Sequence, residues 1–153
     1  MTILGIDPGT TRTGYGVIEK GKRLKLLSYG VIETHGGQEG LVELDKKLTG
    51  VIKKYRPRIA GVEKLYFSKN KKTAIAVAQA RGVIILSLNR HKVDAMEFDP
   101  TNIKSFVTGN GRSDKRTVAK FVCLTLGLRE VNGPDDAADA LAVAIRTSFE
   151  KID

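Results

Sequence analysis

The run Ile3 to Ile6 is apolar, ends on a single carboxylate, Asp7, and passes through Pro8-Gly9 toward a second strand-like segment, Tyr15 to Glu19. An apolar stretch this short, closed at once by turn residues, predicts a buried strand. A carboxylate at the end of such a strand is costly unless something binds it. Asp7 is therefore a candidate ligand for a metal or a phosphate–metal complex. The competing reading is that Asp7 caps its own Pro-Gly turn.

The rest of the chain is read in the same way. Leu24 to Glu33 is a third strand, joined to the second by a turn at Lys20-Gly21-Lys22. After a polar loop, Thr34 to Gly40, the residues Leu41, Leu44, Leu48, Val51, Ile52 and Tyr55 recur at helical spacing and predict a helix over Gly40 to Tyr55. Ile59 to Glu63 is a strand of the kind buried in parallel sheets. Thr73 to Leu88 is a helix that is apolar nearly all round, so it needs cover on both sides. The sheet can cover one side, and the other suggests a subunit interface. Val93 to Phe98 is the fifth strand. A short helical turn from Asp99-Pro100-Thr101 through Phe106, a helix capped by Ser113, and a last helix over Asp135 to Phe149 follow. Pro134 is expected at a first helical position, with Ala138, Leu141, Ala142 and Ile145 facing inward. Three strands followed by alternating helices and strands predict an α/β fold with a mixed sheet. The 153 residues read as one domain, without repeats or linkers.

Charge and composition narrow the partners. A formal net charge of +9 favours a polyanion, nucleic acid first. The one cysteine, Cys123, lies in the apolar stretch Phe121 to Leu124 and is expected in the core. His35 and His91 stand alone, which excludes a His/Cys zinc cluster. No signal peptide or membrane-length apolar run is present, so a cytoplasmic location and no membrane partner are expected.

Four carboxylates break otherwise apolar patterns: Asp7, Glu63, and the pair Asp136 and Asp139, which share one face of the last helix. Oxygen donors without His or Cys suit Mg²⁺ or Mn²⁺, and a carboxylate cluster repels itself without a cation. Two ions in such a site can activate a water and stabilise the leaving oxygen of a phosphodiester. The competing readings are helix capping for Asp136 and Asp139 and an arginine salt bridge for Glu63. Lys69, Lys71 and Lys72, together with Lys104, Arg112, Lys115 and Arg116, are candidate phosphate contacts. Tyr66 and Phe67 are candidates to stack on or wedge between bases, or else plain core at a strand end.

Taken in order, Gly5-Ile6-Asp7-Pro8-Gly9, Thr13-Gly14-Tyr15-Gly16-Val17-Ile18, Glu63 with Phe67-Ser68-Lys69-Asn70, Gln79-Ala80-Arg81-Gly82, Gly109-Asn110-Gly111-Arg112 with Asp114-Lys115, and Asp136-Ala137-Ala138-Asp139-Ala140-Leu141-Ala142 resemble the RuvC family of Holliday-junction resolvases. The resemblance spans nearly the whole chain. It implies a ribonuclease H-like mixed five-stranded sheet with helices on both faces. It also implies a homodimer that nicks two strands of like polarity in a four-way DNA junction, in recombination and repair. Asp7, Glu63, Asp136 and Asp139 match the family's metal ligands, for two Mg²⁺ per subunit or Mn²⁺ in their place. Lys104 and Lys115 match its lysines near the scissile phosphate, and Tyr66 and Phe67 fall where it places a base-contacting aromatic. The helix from Thr73 matches its dimer helix. The branch-migration complex of RuvA and RuvB is the implied protein partner. Two other classes remain: an ATPase of the actin and sugar-kinase type, which needs a second such domain, and a ribonuclease H-like nuclease acting on RNA.

Overall fold

A computed structural model describes residues 1–64 and 71–152. Tyr66, Phe67 and Lys69 lie outside the described residues. The elements run β1 (Thr2–Asp7), β2 (Arg12–Lys20), β3 (Leu24–Glu33), α1 (Gly37–Tyr55), β4 (Ile59–Glu63), α2 (Lys71–Arg90), β5 (Asp94–Phe98), α3 (Pro100–Thr108), α4 (Lys115–Leu126) and α5 (Asp135–Ser148). The five strands form one mixed sheet in the order β3-β2-β1-β4-β5. β1, β2 and β3 pair antiparallel, while β4 runs parallel to both β1 and β5.

Side-chain alternation splits the core in two. Leu4 and Ile6 of β1 and Ala60 and Val62 of β4 pack with Leu44, Leu48 and Ile52 of α1 and Ala80, Ile84 and Leu88 of α2. Ile3 and Ile59 pack on the opposite face with α3, α4 and α5 through Ile103, Val118, Val122, Leu141 and Ile145. Because the period of a strand is two, Gly5 and Asp7 share the face of Ile3, and Gly61 and Glu63 share the face of Ile59. Both strand-end carboxylates are thus aimed at α5.

That face carries a row of glycines. Gly16, Gly5 and Gly61 stand abreast on β2, β1 and β4. A Cβ on Gly5 would collide with the Ala140 carbonyl and the Ala144 amide, one on Gly16 with Leu141, and one on Gly61 with Thr147. A Cβ on Gly14, opposite Asp7, would strike the Asp136 carbonyl. The missing side chains and the alanine-rich inner face of α5 let helix and sheet approach closely. This approach brings the start of α5 to the end of β1.

Several boundaries differ from the sequence reading. β2 begins at Arg12, because its edge residues pair in register with Glu33 and Ile32 of β3. α3 is a full helix and not a turn, with Pro100 in its first turn and Gly109 closing it in the left-handed conformation. Asp114, and not Ser113, caps α4, its side chain accepting from the Thr117 amide. The Ser113 hydroxyl instead bonds that of Thr108 at 2.6 Å. Pro134 is the residue before α5 rather than its first helical residue. Cys123 is half-exposed, because it sits on the rim of the outer face of α4 and not on the inner face with Val118 and Val122. No helix of the described residues is long and apolar enough to cross a membrane.

Candidate active site

Three helices and two strand ends enclose a cavity of about 210 Å³ lined by Asp7, Glu63, Pro100, Ile103, Lys104, Lys115, Val118, Asp139 and Ala142. The parallel pair β1 and β4 brings Asp7 and Glu63 side by side, and α5 adds Asp139. α3 supplies Lys104, and the Asp114 cap starts α4 so that Lys115 is its first residue. Ile103, Val118 and Ala142 form the apolar wall of the cavity.

The electrostatics reflect the crowding. Asp7 is pushed up to about 10, by burial first, then by the hydrogen bond its carboxyl donates to Glu63 and by the charges of Glu63, Asp139 and Asp136. Asp139 is raised to about 6 by burial, with Lys115 opposing the shift. Lys115 Nζ stands 3.7 Å from Asp139 Oδ2. Among the described residues no lysine or arginine forms an ion pair with Glu63, so the salt-bridge reading of that residue is set aside. Asp136 does not line the cavity. It stands one turn earlier on α5, 3.6 Å from Arg12 of β2, close enough to act on Asp7.

These are hard oxygen donors, desolvated and mutually repelling, with Lys104 and Lys115 on the same cavity wall, which is the donor chemistry of a divalent cation site. No three Asp, Glu, His or Cys side chains of the described residues already stand as a ready-made metal cage. The reason is local: Asp7 and Glu63 are bonded to each other and Lys115 holds Asp139. A cation held there would replace those contacts and compete with the proton that burial favours on Asp7.

The same shifts set a pH dependence. Both carboxylates hold protons more tightly folded than unfolded, so stability falls as pH rises. The contribution is full below the ordinary carboxylate value near 4. It is lost as pH rises through about 6 for Asp139 and through about 10 for Asp7. Metal-free protein in EDTA is expected to melt at a lower temperature at about pH 8 than at about pH 5, and Asp7→Asn narrows the gap. Thermal unfolding of both proteins at the two pH values checks this, and an equal gap in both would contradict it.

Among the described residues, the other candidates lie apart from the cavity. Arg112 lies in the turn between α3 and α4, and Arg116 lines a separate groove on the outer face of α4 with Lys120, Cys123 and Leu124. Lys71 and Lys72 open α2. The sequence reading missed Arg12 beside Asp136, and it missed Arg146. The Arg146 guanidinium sits 4.6 Å from the Phe98 ring centre and 4.9 Å from that of Phe106, and it donates to Asn102. It thereby ties α3, which carries Lys104, to α5. An arginine in an otherwise apolar helix face was the available signal.

An antiparallel β1–β2–β3 half joined to a parallel β1–β4–β5 half, with helices on both faces, is the ribonuclease H-like fold, here with carboxylates and lysines gathered at the strand ends as in phosphodiester-hydrolysing nucleases. The family model for crossover junction endodeoxyribonuclease RuvC matches residues 3–147, and the chain belongs to that family of metal-dependent, structure-specific endodeoxyribonucleases. The RuvC of Caldicellulosiruptor saccharolyticus is 45% identical over 150 residues, covering 95% of this chain and 90% of its own length. That of Petrotoga mobilis is 48% identical over 148 residues, covering 94% and 91%. The structure of T. thermophilus RuvC in complex with Holliday junction substrate superposes with a TM-score of 0.90 at 31% identity, covering 97% of this chain and 93% of that one. The yeast mitochondrial Holliday junction resolvase Ydc2, at 15% identity and a TM-score of 0.66, shares the fold.

Proposed function

We propose that this chain, as a single nuclease domain, pairs into a homodimer that resolves four-way DNA junctions by nicking two strands of like polarity. The observation that carries the reading is the cavity in which Asp7, Glu63 and Asp139 face Lys104 and Lys115. Asp7, Glu63 and Asp139 would hold the cation, with Asp136 joining from the edge once Arg12 releases it. Bound there, Mg²⁺ or Mn²⁺ supplies Lewis acidity toward water and the phosphodiester. Lys104 and Lys115 hold the non-bridging oxygens of the scissile phosphate and offset the charge that builds on them. Ile103, Val118 and Ala142 keep bulk water from the reacting phosphate. Lys71, Lys72, Arg112 and Arg116, with Tyr66, Phe67 and Lys69, complete the proposed DNA contacts. The enzyme would work in the cytoplasm, on junctions delivered by a RuvA–RuvB branch-migration complex.

The dimer reading rests on α2. Ile75, Ala78, Gly82 and Leu86 follow one another at helical spacing, with Ile75 62% and Leu86 50% exposed. Among the described residues, nothing stands within 4 Å of a Cβ placed on Gly82. An apolar stripe of this kind supports a second copy packing helix to helix. Leu86→Glu is expected to weaken dimerisation about 30-fold or more, the size of an interface hot spot, read by sedimentation equilibrium. An unchanged dimer would contradict the assignment of this face. The activity is tested with a four-way junction, a linear duplex and an RNA–DNA hybrid offered in competition. Preferred cutting of the junction supports the proposal, and preferred cutting of the hybrid would move the chain to an RNA-directed role.

A further inference from the structure

The positive charge of the chain is not concentrated around the carboxylates. Three connections meet at the opposite end of the sheet: the β2–β3 turn, the α1–β4 loop and the α2–β5 loop. The Lys20 amide bonds the Met1 carbonyl, and the Arg58 amide bonds the Thr2 carbonyl, which ties the first two connections together at the start of β1. Lys20, Lys22 and Arg23 extend from the turn, Lys53 and Arg56 from the end of α1, and Lys92 from the third connection, all exposed. The acidic residues nearest in these segments are Glu19 and Asp94, and neither forms an ion pair among the described residues. Lys53, Arg56 and His91 line a concavity of about 400 Å³ with Ile52, Pro57 and Val93.

Two features separate this patch from ordinary surface charge. Cations in the last turn of a helix answer its dipole, which accounts for Lys53 but not for the turn residues Lys20, Lys22 and Arg23 or for Lys92. Moreover, Arg56 (φ 48°) and Lys92 (φ 57°) are the non-glycine residues with positive φ among those described. Both hold a backbone conformation that costs energy for a side chain of this kind, and both are cations on this one surface. At about 3.3 Å per residue, the six residues of β1 put the patch roughly 20 Å from Asp7.

We propose that this end of the molecule is a second docking surface for duplex DNA, separate from the segment being cut. Lys20, Lys22, Arg23, Lys53, Arg56 and Lys92 contact phosphates without reading bases, so the contact is independent of sequence and sensitive to salt. A resolvase with this surface holds a neighbouring duplex while its catalytic end engages the crossover.

The test uses full-length protein tethered to a surface in EDTA, saturated first with a short-armed junction and then offered a labelled linear duplex. Wild-type protein is expected to retain the duplex. The variant K22Q/R23Q/K53Q/K92Q is expected to lose most of that retention, with the slope of log affinity against log salt falling by about 0.9 per phosphate contact removed. Its cleavage of the short-armed junction in Mg²⁺ stays at the wild-type rate. No retention by wild type, or equal retention by the variant, overturns the proposal. So does slow junction cleavage by a folded variant, which would put the patch in the primary DNA path. Junction saturation is read in the same channel, so failure of the resolvase reading shows separately.

Discussion

Asp7→Asn is expected to bind a four-way junction as the wild type does and to cut it about 10³-fold more slowly or worse, a loss of about 4 kcal/mol of transition-state stabilisation. Asp7 stands at the centre of the site: it bonds Glu63 and feels the charges of Asp139 and Asp136. On the proposed reading, losing its carboxylate removes the cation donor that is coupled to Glu63, Asp139 and Asp136. The fold should not suffer, because at neutral pH the metal-free wild type must hold a proton on buried Asp7 that the unfolded chain releases, a cost an amide avoids. The variant is therefore expected to melt at a higher temperature than wild type in EDTA at neutral pH, by about 3–6 °C for about 1–2 kcal/mol. Adding Mg²⁺ or Mn²⁺ should raise the melting temperature of the wild type and leave the variant nearly unmoved. Gel-shift, cleavage and melting measurements on the same preparation check the set. A variant that cuts normally would overturn the assignment of Asp7.

Gly5→Ala is expected to damage stability and catalysis together. The added methyl would strike backbone on α5, the Ala140 carbonyl and the Ala144 amide, and backbone cannot turn aside as a flexible side chain can. The helix must move off the sheet, at a cost of about 2–3 kcal/mol. Because α5 carries Asp136 and Asp139 while β1 carries Asp7, a displacement of even a few tenths of an ångström opens the site, and cleavage should fall at least about 10-fold in protein that is still folded. Gly50→Ala is the control: it lies on α1, no described residue stands near its added methyl, and it should be neutral or stabilising. Urea unfolding and single-turnover cleavage of both variants test this. A Gly5→Ala protein as stable and active as the Gly50→Ala protein would contradict the close-packing account.

The same glycines show where sequence reasoning stopped. Hydrophobic periodicity was enough to find the five strands and the α1, α2 and α5 helices, because those patterns are set by which face meets the core. The carboxylates were readable too, since each interrupts an apolar run. Gly5, Gly16 and Gly61 were also plain in the chain, but their meaning depends on strand register, which brings them abreast only once β1, β2 and β4 pair. The cap of α4 turned on a choice between two adjacent capping residues, Ser113 and Asp114, which a one-residue shift in the preceding turn decides. Cys123 was misplaced because Phe121, Val122, Cys123 and Leu124 form an apolar run, and on a helix such a run wraps both faces. Arg12 and Arg146 acquire their partners from distant segments, β2 to α5 and α5 to α3, which no local pattern reveals. Asp136 was grouped with Asp139 by spacing alone, yet in the fold it pairs with Arg12 at the rim of the cavity.

The most direct test of the account is nick mapping on a synthetic four-way junction labelled in turn on each strand, with Mg²⁺, with Mn²⁺ and with EDTA. The account predicts paired nicks at symmetric positions in two strands of like polarity, leaving 5′-phosphate and 3′-hydroxyl ends, present with either cation and absent in EDTA. Cutting that persists in EDTA, or unpaired nicks scattered over all four strands, would contradict it.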